Sequence, residues 1–303
     1  MFEKKISTAI GRYFPLFIGW SRYILYKHPD WLLRKDILKY YDSVSPSEIN
    51  EEQAEAVSYI RKKGAHYFPY SFIEKYNPEK IKVYTNEKCG LKYVLHNEKR
   101  LYFARETSAF NIQRIYTNLL YEQDRKSAHC YQTETFRIEE GDILFDVGAA
   151  EGIFSLTVIE KVKKVYLFEV EERWLEALRE TFKPWQDKVE IICKYVSDTD
   201  SEQTAKLDTV IKKLSNESLF LKLDVEGAEK LVIKGANEIL TSGNNKIKAA
   251  VCTYHNQDDH EELSAIMKDL GYRVSTSPGY MLFKQQNLAP PYLRRGLIYC
   301  SKE

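Results

Sequence analysis

The chain has 303 residues, 44 % of them hydrophobic, with 45 basic and 44 acidic side chains and a formal net charge of +1. That length suits one Rossmann-type domain plus a smaller unit and supplies a real apolar core. The balanced charge gives no electrostatic footprint for nucleic acid, so no nucleic-acid partner is expected.

The five cysteines, Cys89, Cys130, Cys193, Cys252 and Cys300, are scattered. They show neither metal-ligand spacing nor a disulfide framework, and an odd number fits a reduced compartment, so the expected location is the cytoplasm. Cys193 and Cys252 lie in apolar runs and are expected to be buried small hydrophobes. No secretory signal is read. The aromatic stretch Tyr13 to Tyr26 is interrupted by Pro15 and Arg22 and is too short to span a bilayer. It reads as a packed helix, with no stable membrane insertion.

Residues 1 to about 75 then read as helices, DWLLRKDILKYYDSV followed by SPSEINEEQAEAVSYIRKKG. In the second, Ser47 is the expected N-cap and Gly64 the stop. Residues 81 to 105 change period: IKVY, LKYVLHN and KRLYFAR alternate between turn sequences and predict hairpins. A further helix is expected over about 109 to 124. From Gly141 the pattern alternates apolar strands (DILFDVG, VYLFEV, VEIICKYV, LFLKLDV, IKAAVCTYH) with amphipathic segments (GIFSLTVIEKV, EERWLEALRETF, KLDTVIKKL, AEKLVIKGANEIL, HEELSAIMKDLG). Such alternation predicts an α/β domain, a mostly parallel sheet with helices on both faces. Two closing β segments, around YRVST to YMLF and GLIYC, suggest a terminal hairpin. The division expected is 1–135, a smaller α+β region of helices and hairpins for substrate selection or self-association, and 136–303, the ligand-binding domain.

The chemistry is expected at the carboxyl ends of the strands, where open α/β sheets bind ligands. The first turn reads Asp146-Val147-Gly148-Ala149-Ala150-Glu151-Gly152. Its small residues admit a ligand close to the backbone. It is neither GxGxxG nor a P-loop, and its acids would repel a pyrophosphate. They suit a ligand with a cationic or hydrogen-donating end, such as the amino-acid portion of S-adenosylmethionine. Asp146, Gly148, Ala149, Glu151 and Gly152 are the expected loop contacts. Glu169 ends the second strand, 23 residues after Asp146. An acid there accepts hydrogen bonds from both ribose hydroxyls of an adenosine. The third strand ends in Val196-Ser197-Asp198, and Ser197 and Asp198 are candidates to reach the adenine. The fourth runs into Asp224-Val225-Glu226-Gly227-Ala228-Glu229, three carboxylates within six positions. Asp224 and Glu226 share a face if the strand continues and could orient the cofactor, take a proton or hold a cation. The fifth strand presents His255, the best-placed base near neutral pH. No HExxH or GxSxG occurs, so no metal ligands are assigned and a covalent nucleophile is not expected.

At this point the residues resemble a known family. DILFDVGAAEGIFSL, VYLFEVEERWLEAL and above all LFLKLDVEGAEKLVIKGA are similar to the FkbM-like methyltransferases, over roughly residues 141 to 303. The resemblance implies a Rossmann-like class I methyltransferase sheet with an antiparallel terminal hairpin. It also implies S-adenosylmethionine as cofactor and methylation of a hydroxyl on a sugar, glycan or natural product. It places Asp146, Gly148 and Gly152 in the cofactor loop, Glu169 at the ribose, and Asp224 and Glu226 in the acidic fourth-strand signature. Two departures are visible: Glu151 stands at or near the loop's usual Asn, and Val170 where a Pro usually follows the second-strand acid. N- or carboxyl-methylation on the same fold, or an inactive adenosyl-binding scaffold, are the competing readings. The residues allow a divalent cation without indicating one. The 22 tyrosines mildly favour a glycan acceptor over other small molecules. The N-terminal region allows a homo-oligomer.

Overall fold

The computed structural model describes residues 30–211, 214–284 and 288–302. The stretch Tyr13 to Tyr26 lies outside them. In chain order the helices and strands begin with α1 (Asp30–Ser43), α2 (Glu51–Lys63), β1 (Tyr84–Thr85), β2 (Lys92–His96), β3 (Lys99–Tyr102) and α3 (Ala109–Glu122). The alternating part follows with β4 (Ile143–Val147), α4 (Ile153–Val158), β5 (Lys164–Phe168), α5 (Glu172–Phe182), β6 (Val189–Ile192), β7 (Tyr195–Val196), β8 (Thr204–Ala205) and α6 (Leu207–Ile211). It closes with β9 (Ser218–Leu223), α7 (Glu229–Lys234), α8 (Asn237–Thr241), β10 (Lys246–Cys252), α9 (Asp259–Asp269), β11 (Arg273–Thr276) and β12 (Leu297–Lys302).

Seven strands form one sheet in the order β11-β12-β10-β9-β4-β5-β6. The strands β10, β9, β4, β5 and β6 are parallel neighbours, while β12 runs antiparallel to both β10 and β11. The order therefore reverses direction at β4, and the first loop and the β9 loop emerge side by side at the carboxyl edge. Strand alternation divides the side chains between two buried faces. Ile143, Phe145, Val147, Leu219, Leu221, Leu223, Ala249 and Val251 pack with α7, α8 and α9. Leu144, Phe220, Ala250 and Cys252 face the other way.

That second face is covered partly by α4 and α5 and partly by the N-terminal region. Leu33, Ile37, Ile60, Phe103, Ile112 and Leu119 belong to the same core as the sheet residues. The hydrophobic core thus passes unbroken from the early helices and hairpins to the parallel strands. The hairpin β2–β3 turns on Asn97 and Glu98, both left-handed (φ 48° and 66°), the geometry that matches strand twist in a two-residue loop.

Several details depart from the sequence reading. The second helix is capped by Asn50, not Ser47. Asn50 accepts from the Gln53 backbone N–H while its own N–H donates to the Gln53 side chain, and Pro46–Glu48 form a separate 3-10 turn. Gly64 does stop this helix, at φ 105°. The run VEIICKYV breaks after Ile192: β7 leaves the main sheet and pairs with β8. The segment AEKLVIKGANEIL is two helices, because the Asp208 carboxylate accepts the N–H groups of Glu238 and Ile239 and so starts α8. YMLF forms no strand, only an isolated bridge from Met281 to Arg294. Cys193 is exposed, whereas Cys252 is fully buried.

The segment 127–131 is held against the end of the chain. Ser277 and Tyr299 donate to the carbonyls of Ala128 and Cys130 at 2.7 and 2.6 Å. A Cβ at Gly296 would lie 2.0 Å from the Ala128 carbonyl oxygen. Backbone against backbone cannot yield by a side-chain rotation. Gly296→Ala is therefore expected to cost about 2 kcal/mol or more, read as a lowered urea midpoint with unchanged m value. An unchanged midpoint would show that this seat is not tight.

Candidate active site at the carboxyl edge

The first loop is shaped by close backbone approach. Gly148 has φ 80°, and a Cβ there would stand 1.9 Å from the Asp224 carbonyl oxygen, so only glycine fits. Gly152, at φ 75°, is pressed against Leu178 and Phe182 of α5. Ala150 is left-handed although it carries a Cβ (φ 47°), a strained position typical of functional loops. Its N–H donates to Glu169 Oε2 at 2.9 Å, while Glu169 Oε1 accepts from Val170 and Glu171 at 2.7 and 2.8 Å. Glu169 is buried, and burial raises its pKa despite these three N–H groups. Glu151 is buried as well. Desolvation, then the nearby charges of Glu122 and Glu169, push its carboxyl up to about 7.

Asp146 turns inward. It is 1 % exposed, accepts from the Ser155 hydroxyl at 2.6 Å and faces Lys222 Nζ at 3.1 Å. Its carboxylate faces the lysine and Ser155, and these contacts tie the loop to β9. Lys222 also donates to the carbonyls of Val147 (3.4 Å) and Gly148. Burial works to lower the Lys222 pKa, but Asp146 and Asp224 outweigh it and push it up to about 12.

Asp224 is the hub of the cluster at the end of β9. Its Oδ2 accepts from Tyr131 at 2.7 Å and its Oδ1 from Tyr254 at 3.1 Å. His129 Nε2 lies 3.5 Å from Oδ2 and His255 Nε2 3.5 Å from Oδ1. Burial alone would raise this carboxyl, yet the His129 hydrogen bond and the charge of Lys222 hold it well below the usual range. Glu226, in a left-handed conformation (φ 57°), brings Oε2 to 3.6 Å from His255 Nε2. Burial, with Asp224 and Glu229, pushes Glu226 up to about 7 against the pull of His255. His255 itself is 1 % exposed, with Nδ1 3.0 Å from Glu229 Oε1. Burial disfavours its charge, but Glu229, Glu226 and Asp224 prevail and raise it to about 9. His255 is thus enclosed among carboxylates that favour its protonated form.

Ser197 and Asp198 follow β7, outside the main sheet. Asp198 pairs with Lys234 at 2.7 Å, and the Ser197 carbonyl abuts Gly235. Ser197 also donates its N–H to the Ala205 carbonyl of β8, and none of these partners lies in the first loop. Sequence reasoning missed His129, Tyr131, Glu122, Lys222 and Tyr254 as site residues. Lys222 carries a signal, a lysine in an apolar strand two places before an acid. Tyr254 follows from strand alternation with Cys252. His129 and Tyr131 carry none, since they come from a loop 93 residues before Asp224.

A seven-stranded sheet in this order, with the last strand inserted antiparallel beside the fifth, defines the Rossmann-like class I methyltransferase fold. Within it, residues 194–274 match the family model of the methyltransferase FkbM domain, the family that the sequence resembles. No curated protein matches the chain. Among solved structures, it is similar to methyltransferase FkbM from Methylobacillus flagellatus KT (16 % identity, TM-score 0.45), over 63 % of this chain and 53 % of that one. The chain thus spans about half the length of that relative. It is also similar to precorrin-6y C5,15-methyltransferase from Geobacter metallireducens GS-15 (14 % identity, TM-score 0.37, 55 % and 84 % covered). A third is a SAM dependent methyltransferase from Aquifex aeolicus (15 % identity, TM-score 0.33, 55 % and 84 % covered). The strand order, rather than these likenesses, carries the fold assignment. The family match covers Asp224, Glu226 and His255 but not the first loop or Glu169.

Two consequences are measurable. Below about pH 4.3, the ordinary glutamate value, Glu151 holds its proton folded or unfolded and costs nothing. As pH rises toward 7 the unfolded chain ionises first, so the folded state loses stability through that window. Glu151→Gln is expected to stabilise the protein at pH 8 by on the order of 2 kcal/mol and by nothing at pH 4; equal effects at both would refute the burial account. Lys222→Met leaves Asp146 buried without its cation and is expected to cost about 3–5 kcal/mol. Adding Asp146→Leu should recover most of that loss, as thermal melts of the single and double variants would show.

Proposed function

We propose that this chain is an S-adenosylmethionine-dependent methyltransferase acting on a hydroxyl of a sugar, glycan or natural product. The observation that carries the reading is the convergence of Glu169 and Glu151 on the loop from Gly148 to Gly152, at the carboxyl edge of β4 and β5. Acids in that place reject a pyrophosphate. They suit a ribose diol on one side and a positively charged methionine end on the other.

The cofactor, when bound, supplies a methyl group on a sulfonium that is already a good leaving group. The protein's share is then largely positioning. Glu169 keeps its orientation through three backbone N–H groups and offers the remaining lone pair, on Oε2, to a ribose hydroxyl. Gly148 and Ala149 let the adenosine approach the backbone. Asp224, fixed by Tyr131 and Tyr254, and half-buried Glu226 stand where an acceptor hydroxyl would enter, and the hydroxyl proton passes to that carboxylate pair. His255, enclosed behind them, holds their geometry. The FkbM match over residues 194–274 supports the same assignment for the β9 loop.

The acceptor is a small molecule or glycan rather than a nucleic acid, selected by the N-terminal region that lends His129 and Tyr131 to the site; that region also suits self-association. Among the described residues no helix is long and apolar enough to cross a membrane. We place the protein in the cytoplasm.

The test is calorimetric titration with S-adenosylhomocysteine. Glu169→Gln keeps the shape and removes the charge, and is expected to weaken binding about tenfold or more without changing the melting temperature in the absence of ligand by more than a few degrees. Absence of binding by the wild type would sink the reading and leave a scaffold. Binding with methyl transfer only to amines would move the acceptor class.

A further inference from the structure

We propose that Asp224, Glu229 and His255 bind a divalent metal cation at the acceptor side of the cleft. This deepens the methyltransferase reading, but the cation is measured without an adenosyl ligand, so either reading can fail alone.

The first observation is the grouping. Each of the three residues offers one ligand atom, and these atoms lie within 4.8 Å of one another. A cation held at about 2.1–2.3 Å separates its ligands by up to about 4.2–4.6 Å. Closure by a few tenths of an ångström therefore completes the set. The donors, two carboxylates and an imidazole, suit Mn²⁺ or Co²⁺ and the smaller Mg²⁺ less.

The second observation is independent of acidity. His255 is 1 % exposed, and its ring nitrogens have only ion-pair contacts without hydrogen-bond alignment, Nδ1 at 3.0 Å from Glu229 and Nε2 at 3.5 Å from Asp224. Glu229, also 1 % exposed, leaves Oε2 without a partner, and so does Glu226 Oε2. Buried polar atoms are almost always satisfied, and a patch of orphans facing each other asks for an ion or water between them. Nδ1 of His255 lies 3.0 Å from Glu229, and Nε2 lies 3.5 and 3.6 Å from Asp224 and Glu226.

The surroundings favour this group over the other one. His129, Asp224 and Cys252 also converge. Cys252 of that group already stands in the field of the Lys222 ammonium, which supplies positive charge there. On the His255 side three carboxylates meet one imidazole. Glu229 is also anchored, since its Oε1 accepts from the Val225 N–H at 3.0 Å. Asp224 and Glu226 are partly exposed, at 17 % and 24 % of their side chains. The cation's open positions would face the cleft, where paired oxygens of an acceptor could complete the shell.

The probe is Mn²⁺ added to the full chain after chelator treatment, with free Mn²⁺ read by electron paramagnetic resonance. Co²⁺ provides a second readout through its visible absorption. One ion per chain is expected at or below about millimolar cation. Asp224→Asn should abolish binding, and Glu229→Gln and His255→Gln should each weaken it about tenfold or more. Glu202→Gln, an exposed acid elsewhere, should leave it unchanged. Circular dichroism identifies any variant that fails to fold, and the two remaining site variants then carry the test. No binding by the wild type, or binding untouched by folded Glu229→Gln and His255→Gln variants, would overturn the proposal and leave His255 as an imidazolium held by carboxylates alone.

Discussion

Everything at the carboxyl edge depends on one buried ion pair. Asp146 and Lys222 stand opposite each other on neighbouring strands β4 and β9 and are both nearly sealed from water. Removing two charges from water is costly, and the pair alone offsets that cost only with further hydrogen bonds. Here they are present: Ser155 donates to Asp146, and Lys222 donates to the carbonyls of Val147 and Gly148. The lysine therefore ties the strand that carries the acids to the loop that would carry the adenosine. Gly148 seals the join, because its missing side chain lets the Asp224 carbonyl lie against it. A shift in either loop is felt in the other.

The same lysine explains how so much negative charge survives burial. Asp224 remains ionised because Lys222 and two histidines face it, whereas Glu151 and Glu226 lack an equal cation and rise toward neutrality. Part of this arrangement comes from outside the parallel sheet. His129 and Tyr131 lie on the loop after α3, and that loop is pinned by Ser277, Tyr299 and the bare backbone of Gly296. The N-terminal region is then not an appendage. It covers one face of the sheet, shares its core and completes the Asp224 environment.

What was legible in the sequence was what local pattern controls. The strands of the parallel sheet follow from apolar runs punctuated by amphipathic segments, and the glycines at 148 and 152 mark turns that tolerate no side chain. Glu169 and the Asp224 signature were legible for the same reason, since a strand end in a parallel sheet has a fixed place. Contacts of long sequence separation were not. Tyr131 reaches Asp224 across 93 positions, and no periodicity announces it. The direction of Asp146 was also hidden: its partner sits on a strand that becomes its neighbour only through the crossover order. The break of VEIICKYV at Ile192 went unseen because apolar content cannot show where a strand leaves one sheet for another.

The protein carries a cost at this edge that its fold alone does not need. A sheet of this kind would be more stable with neutral residues at 151 and 226, since burial opposes the charge of both carboxyls. Ala150 and Glu226 add left-handed backbone with a side chain attached. Such features persist where a ligand returns the energy on binding. Around Glu151 and Glu169 the proposed ligand is positive at one end and carries hydroxyl donors at the other. Around Glu229 and His255 the proposed cation would supply positive charge, within a space that two carboxylates and a ring enclose. On the proposed reading the two halves of the edge take different guests, and the Lys222 ammonium is the fixed charge both share, through Asp146 on one side and Asp224 on the other.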